Sequence, residues 1–303
     1  RDLLVAVDAA AGALRDGDLV IVQSTCPPGM IDDAVIPRFR QHTSARIHLV
    51  HSPVRFAPGP DPMPDVSRVI AGATPECLAA GIQFLNLIGE RVVPVGSIRA
   101  AELTKVFENT FRLVNVSLAN ELASVCRGFT VDPMEVLNAA NTRPYGFLLH
   151  TPGPGAGGDC VPVCAEFFAT AARRQGNSAR IVEAAITVND EAPRNIVRHL
   201  PIRGRVLIAG VTYKPDVADV RRSAAVRILE ELRTTTEVGY HDPHVPVLRL
   251  SDGTVLHSQE VRPGVADLVV LVTKHHWMDL DGFAAPVIDC STGFPSIVEV
   301  RDV

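Results

Sequence analysis

The sequence predicts an α/β protein: two doubly wound units, the first of them incomplete, joined by a long central helix and a helical middle section. Three observations predict this. Short apolar runs such as Asp18–Gln23 and Arg205–Val211 read as buried strands, and they alternate with helical patterns. One helical periodicity runs unbroken over Ser97–Phe129. Gly204 then separates the helical middle from a fresh series of strands and helices. The implied domains are 1–96, 97–200 and 201–303.

The elements follow in order. Leu3–Leu14 is apolar and helix-like, and Asp18–Gln23 is a strand followed by the loop Ser24–Gly29. Met30–Arg40 reads as a helix, Arg46–Val50 and Arg68–Ala71 as strands. Thr74–Ile88 is a helix with Thr74 as cap and Pro75 at its first position. Arg91–Val95 is a short strand. Strands alternating with helices predict a parallel sheet, with ligands bound beyond the carboxyl ends of its strands. Ser24-Thr25 and Ser52-Pro53 stand at such ends. No G-x-G-x-x-G turn follows a first strand, and the chain opens on a helix where a nucleotide-binding half opens on that strand.

In the long helix, Ala100, Leu103, Val106, Phe107, Phe111, Val114, Leu118, Leu122 and Val125 recur at near-helical spacing. Lys105, Asn109 and Arg112 share one face, a lysine, an amide and a guanidinium that could hold an anionic ligand or an oxyanion. A solvated stripe is the plainer alternative. A helix this long and this apolar around its circumference places the stripe at a cleft or a partner subunit. Val131–Ala140, capped by Asp132, is a further helix, and Ala165–Arg174 and Ala179–His199 complete the middle.

Between these helices lies Thr151–Cys164, TPGPGAGGDCVPVC. Gly153, Gly155, Gly157 and Gly158 allow close backbone approach, so the run reads as a loop wrapped on a ligand and delivering Cys160. Pro162 suits the first turn of a helix, and a thiol at a helix start tends toward a lowered pKa. A tight turn with an inert buried cysteine is the alternative. Cys160 and Cys164 could also bind a metal with Asp159 or form a redox pair, but a single C-x₃-C is weak evidence for zinc, and no metal is expected.

The last third repeats the α/β pattern. Arg205–Val211 is a strand, Tyr213–Asp216 a loop, Ser223–Arg233 a helix, and Thr236–His241, Ala266–Thr273 and Pro286–Cys290 are strands. Lys214 and Arg221 follow a strand end, where phosphates sit in doubly wound sheets, or they are surface charges on a loop.

Composition excludes several classes. The 303 residues are 47% hydrophobic and 21% charged, as in a soluble globular protein. The net charge of −5, without a long basic run, excludes nucleic acid and anionic membranes as main partners. No apolar stretch reaches spanning length and Arg1–Ala13 lacks signal-peptide form. Six scattered cysteines suit reduced thiols in a cytoplasm.

Five stretches together carry a resemblance. They are Ser24-Thr25-x-Pro-Pro-Gly29 with Ser52-Pro53, Ala101–Leu122, Pro152–Pro162, Gly210–Ala225 and Tyr240–His244. In this order they resemble the UDP-glucose/GDP-mannose dehydrogenase family, and within it the branch that oxidises UDP-N-acetyl-mannosamine or UDP-N-acetylglucosamine. The resemblance implies a Rossmann-like NAD-binding domain, a helical centre that dimerises through the 97–129 helix, and a Rossmann-like UDP-binding domain. It implies two NAD-dependent hydride transfers that take a UDP-sugar C6 alcohol to a carboxylate in polysaccharide biosynthesis. Cys160 matches the nucleophile, Lys105 and Asn109 the oxyanion pair, and Thr25 a threonine that places the reactive water beside the cofactor. Lys214 matches a substrate-binding lysine, Arg221 an arginine near the cofactor and Arg112 a substrate-side residue; Gly155, Gly157 and Gly158 line the substrate.

The departures matter as much. A glycine-rich NAD half-domain of about 100 residues is expected upstream. Val54 stands where the family has the glutamate of Ser-Pro-Glu, a general base. Cys164 stands where an aspartate follows the nucleophile, and Asp159 where the branch has histidine, a carboxylate expected to raise the neighbouring thiol's pKa. Loss of a general base costs about 10²–10⁴-fold. The alternative is therefore a catalytically altered or silent UDP-sugar-binding homologue.

Overall fold

The computed structural model describes residues 2–55, 66–276, 278, 285–293 and 295–298. The chain divides into two units, Arg1–Thr110 with Cys164–Ala179, and Phe111–Val163 with Arg180–Val303.

The first unit opens with α1 (Asp2–Ala11), β1 (Leu19–Val22), a π-helical turn (Ile31–Val35) and α2 (Ile36–His42). β2 (His48–His51), β3 (Arg68–Gly72), α3 (Pro75–Leu87) and β4 (Val92–Pro94) follow. The strands form one sheet in the order β1-β2-β3-β4. Val7 and Ala11 of α1 and Phe39 of α2 pack with Val22, Leu49 and Val69 in one core cluster. Cys77 and Leu85 of α3 pack with Val50 and Ile70 in another. Alternate residues of β2 and β3 thus serve the two clusters, the period-two pattern of a covered sheet. Gly81 lets α3 approach closely, since a Cβ there would stand 2.8 Å from Val50 and 2.9 Å from Ile70. Thr74 Oγ1 accepts the Cys77 amide at 3.2 Å, the cap its sequence predicts.

One feature departs from the expected parallel sheet. β2 and β3 pair antiparallel, Val50 opposite Gly72 and His51 opposite Ala71. An antiparallel return requires no crossover helix.

Helix α4 (Ile98–Phe129) begins in the first unit and ends in the second. In the second unit α5 (Pro133–Asn141) is capped by Asp132, whose Oδ1 accepts the Met134 amide at 2.9 Å. After the glycine loop, α6 (Val161–Arg174) returns the chain to the first unit, and α7 (Arg180–His199) lies in the second. The second sheet is built from β5 (Val206–Ala209), β6 (Val238–His241), β9 (Leu268–Leu271), β10 (Val287–Asp289) and β11 (Ser296–Val298). Its order is β11-β10-β9-β5-β6, parallel except for β11. Ile196 of α7 and Ile228, Leu229 and Leu232 of α8 (Ala224–Leu232) pack with Val206, Ile208 and Val270. Leu207, Ala209, Val269 and Leu271 serve a second cluster. A hairpin of β7 (Val247–Arg249) and β8 (Val255–His257) completes the unit.

Candidate active site

Thr25 stands exposed beyond the carboxyl end of β1, in the loop that Gly29 closes at φ +91°. Lys105 and Asn109 are half-buried on α4. Asn109 Nδ2 donates to Cys164 Sγ at 3.2 Å, and Cys164 is buried at 1% exposure. The thiol at 164 thus occupies one N–H of the amide expected to serve an oxyanion. Val54 is half-buried, and its amide donates to the Gln23 carbonyl at 3.1 Å. Arg55 beside it pairs with Glu108 of α4 and donates to the Ser67 carbonyl at 2.6 Å. The Ser-Pro turn is held from the far side by Arg68, which donates to Ser52 O at 2.9 Å. A cavity of about 610 Å³ in this unit is lined by Pro28, Gly29, Arg99, Leu103, Phe168 and Arg174. It contains none of the expected catalytic side chains.

The second unit contains the glycine loop. Asn189, at 4% exposure, grips it with both arms: Oδ1 accepts the Ala156 amide at 2.6 Å and Nδ2 donates to the Ala156 carbonyl at 3.2 Å. Asn120 Oδ1 accepts the Gly153 amide at 2.8 Å, and the Gly158 amide donates to Arg221 O at 2.9 Å. Gly155 and Gly158 take φ of +120° and +71°. A Cβ at Gly157 would stand 2.8 Å from the Arg222 carbonyl oxygen, and one at Gly158 2.9 Å from the Tyr213 ring. Glycine is required there because the loop lies directly against the segment that follows β5. Gly153–Gly158 has the spacing G-x-G-x-x-G, yet it follows no strand, so it is not the dinucleotide turn.

The loop ends at Cys160, which is exposed and immediately precedes α6, with Pro162 in the first turn. The buried cysteine of the pair is Cys164. Asp159 pairs with Arg221, whose guanidinium also forks onto Asp219, Nε at 3.0 Å and Nη2 at 2.6 Å. Asp219 first, then Asp159, raises the Arg221 pKa, and Arg221 holds Asp219 below the ordinary carboxylate value. The carboxylate beside Cys160 therefore shares one guanidinium with a second carboxylate. Lys214 is half-buried with its ammonium 5.8 Å from the centre of the Tyr213 ring. Arg112 is exposed on α4.

Sequence reading missed the scaffold under Lys214. Asp242, fully buried, accepts from Val211 N at 2.8 Å, Thr212 N at 3.3 Å and His244 N at 2.9 Å. His275 Nε2 lies 3.2 Å from the same carboxylate, and its Nδ1 accepts the Asp216 amide at 2.9 Å. Ligand atoms of Asp216, His244 and His275 lie within 4.8 Å of one another. The nitrogens of His275 are spent on holding the 211–216 loop, which makes the cluster a hydrogen-bonded support. The Asp-Pro pair after a strand was the sequence signal for it.

The family model for the UDP-glucose/GDP-mannose dehydrogenase central domain matches residues 99–191, and that for the family's UDP binding domain matches 207–288. The chain is 32% identical over 295 residues to an NDP-N-acetyl-D-galactosaminuronic acid dehydrogenase of Ralstonia nicotianae, covering 89% of this chain and 68% of that protein. It is 28% identical over 284 residues to a UDP-N-acetyl-D-mannosamine dehydrogenase of Methanococcus maripaludis, covering 90% and 63%. The solved UDP-N-acetyl-mannosamine dehydrogenase of Staphylococcus aureus superposes with a TM-score of 0.78 at 29% identity, covering 97% of this chain and 73% of that one. With both family models in sequence order and the glycine loop, the α4 face and the 211–225 segment in place, the chain belongs to the UDP-glucose/GDP-mannose dehydrogenase family.

Proposed function

We propose that the protein oxidises the C6 alcohol of a UDP-N-acetylhexosamine to the carboxylate, with NAD as hydride acceptor and Cys160 as nucleophile. The observation that supports this most is the glycine loop, clamped by Asn189 and pressed against Tyr213, which ends in an exposed thiol at the start of α6. Amides of a first helical turn favour negative charge at the residue before them.

The roles follow from residue chemistry. Gly155, Gly157, Gly158 and Lys214 hold the nucleotide sugar, and Arg112 serves its sugar side. Loss of a proton and a hydride converts the alcohol to an aldehyde. The Cys160 thiolate adds to the aldehyde carbon, forming a C–S bond and a hemithioacetal oxyanion. Lys105 and Asn109 supply a cation and an N–H for that oxyanion. A second hydride leaves and a thioester remains. Water cleaves its C–S bond, giving the carboxylate and returning the thiol. NAD, when bound, accepts one hydride, so two NAD molecules in turn would take the two hydrides. Among the residues expected at NAD, exposed Thr25 fits its reactive end. Arg221, the other residue expected there, is forked onto Asp219.

The α4 face also supports a homodimer. Phe111, Leu118, Val125 and Phe129 form a stripe exposed by 44%, 62%, 56% and 74%. Six scattered cysteines, without the spacing of a disulfide framework, suit a cytoplasmic setting, and no helix among the described residues is long and apolar enough to cross a membrane.

A second reading is favoured by Cys164 and Val54. Cys164 takes an N–H of Asn109, and neither residue can act as the carboxylate base of the hydrolytic step. In that reading the chain stops at the aldehyde or only binds UDP-sugars. The test is NADH release from the complete protein with UDP-N-acetylmannosamine, -glucosamine and -galactosamine. Two NADH per sugar, lost in Cys160→Ser and kept in Cys164→Ser, supports the full oxidation. One NADH per sugar supports the aldehyde. No NADH with saturable UDP binding supports the binding homologue.

A further inference from the structure

The loop that presents Thr25 and the helix that presents Lys105 are joined by one buried carboxylate. Glu102 lies on α4 at 0% exposure. Its Oε2 accepts the Gly29 amide at 2.6 Å and its Oε1 accepts the Ile31 amide at 2.9 Å. These amides close the Ser24–Gly29 loop and open the helical segment that starts at Ile31. The first amides of a helix have no partner within it, so a side chain from elsewhere in the chain completes this one. A buried carboxylate is unfavourable unless it is hydrogen-bonded. Burial does push the Glu102 pKa up, and the Ile31 and Gly29 amides pull in the opposite direction.

The spacing gives this contact a consequence for the site. Residues 102, 105 and 109 fall on one face of α4 at i, i+3 and i+7. Gly29 and Thr25 belong to one short loop, and the loop turns at Gly29 through φ +91°, a conformation glycine adopts without strain. On the solvent side Arg99, one turn earlier on α4, pairs with Asp32 at 3.0 Å and Asp33 at 3.1 Å. Exposed pairs of that kind hold little. The buried carboxylate is the contact that fixes the register between loop and helix.

We propose that Glu102 is a positioning residue for the oxidation: it sets the place of Thr25 relative to Lys105 and Asn109 by binding the Gly29 and Ile31 amides. It touches no reacting atom itself. The inference rests on the dehydrogenase reading for those three side chains.

The test compares Glu102→Gln and Glu102→Asp with the wild-type protein. Gln keeps the shape but turns one acceptor into a donor facing an N–H, while Asp keeps the charge on a shorter arm. Misplacement of a reacting group by an ångström costs about 10²-fold in rate. Glu102→Gln is therefore expected to lower kcat by about 10–100-fold with an unchanged KM for the UDP-sugar. Amide exchange over residues 24–31 should accelerate, and Glu102→Asp should recover part of both. Wild-type kcat in Glu102→Gln, or unchanged exchange at 24–31, overturns the proposal. So does a loss of kcat that merely tracks a loss of folded protein by circular dichroism. If the wild-type protein shows no turnover, the dehydrogenase reading fails by itself. Exchange then still decides: faster exchange in Glu102→Gln upholds the loop lock, and equal exchange overturns it.

Discussion

Replacement of Asp242 tests the account of the UDP-domain loop most directly. The carboxylate is fully buried and accepts from Val211, Thr212 and His244 amides, with His275 Nε2 beside it. Ala at this position leaves the Val211 and Thr212 amides buried without an acceptor. At about 1–3 kcal/mol for each such group, Asp242→Ala should destabilise the second unit by about 2–6 kcal/mol. Asn keeps one oxygen and presents an NH₂ to the other donors, so Asp242→Asn should cost about 1–3 kcal/mol. The pH dependence has a definite sign. Burial raises the Asp242 pKa, but His275 and the Val211 amide outweigh it and hold the group below the ordinary aspartate value. A carboxylate depressed in the fold contributes stability above its unfolded pKa and loses it as pH falls through the folded one. The acid limb of stability should therefore flatten in Asp242→Asn. Urea denaturation followed by circular dichroism, with amide exchange in peptides covering Val206–Asp216, measures both effects. An Asp242→Ala protein with an unchanged urea midpoint and unchanged exchange would refute the reasoning.

Three further outcomes are expected. Gly158→Ala places a Cβ at φ +71° and 2.9 Å from the Tyr213 ring, so it should cost at least about 1–2 kcal/mol and weaken UDP binding in titration calorimetry. Gly153→Ala meets nothing closer than 3.9 Å and should be tolerated; equal behaviour of the two would count against the close approach. His51 is buried with its pKa lowered from 6.5 to about 4 by desolvation, partly opposed by the Val22 carbonyl. Stability should thus fall as pH drops from 6.5 to 4, by about 3 kcal/mol in all, and His51→Gln should remove that slope in pH-dependent denaturation. Leu118→Glu with Val125→Glu removes two exposed apolar side chains per copy, each contributing about 1.5–3 kcal/mol if buried in an interface. Sedimentation should show a dimer becoming a monomer at micromolar concentration, and a wild-type monomer there would sink the dimer.

Much of the fold was legible because its signals are local. Thr74-Pro75 and Asp132-Pro133 announce helix starts, and the apolar runs at Val206 and Leu268 announce buried strands. The β7–β8 hairpin went unread: Ser251-Asp252-Gly253-Thr254 is a turn signal, but the strands on either side are three residues each, too short for a period-two pattern. The antiparallel return of β3 was not legible, because pairing direction depends on where the chain re-enters the sheet. On α4 the apolar periodicity mixes two fates. Val106 and Leu113 are buried while Phe107, Phe111 and Leu118 are exposed, and spacing alone does not separate core from stripe. The roles proposed for the motif residues came from the family resemblance. Their supports could not be read: Glu102 serves amides of residues 29 and 31, and Asn189 serves residue 156, through contacts that only the folded chain creates.

The question left to chemistry is where thioester hydrolysis finds its base. Position 54 is valine and position 164 is a thiol already bonded to Asn109, so neither supplies a carboxylate. Asp159 does, one residue before the nucleophile, but it shares Arg221 with Asp219. Asp219 holds the guanidinium through Nε and Nη2, and Asp159 holds it through Nη1 alone. Two carboxylates on one cation leave a net negative charge in the cluster, and the singly bonded, half-exposed Asp159 is the one that can turn away without breaking the fork. It is also next to Cys160, the sulfur proposed to carry the acyl chain. The second hydride leaves before water enters, so the number of turnovers, not the count of NADH per sugar, bears on Asp159. Repeated turnover requires a proton acceptor for water, and among the three altered positions 54, 159 and 164 only Asp159 brings a carboxylate. A reaction that halts after one sugar per enzyme, with the acyl group left on Cys160, would mean that Arg221 keeps it.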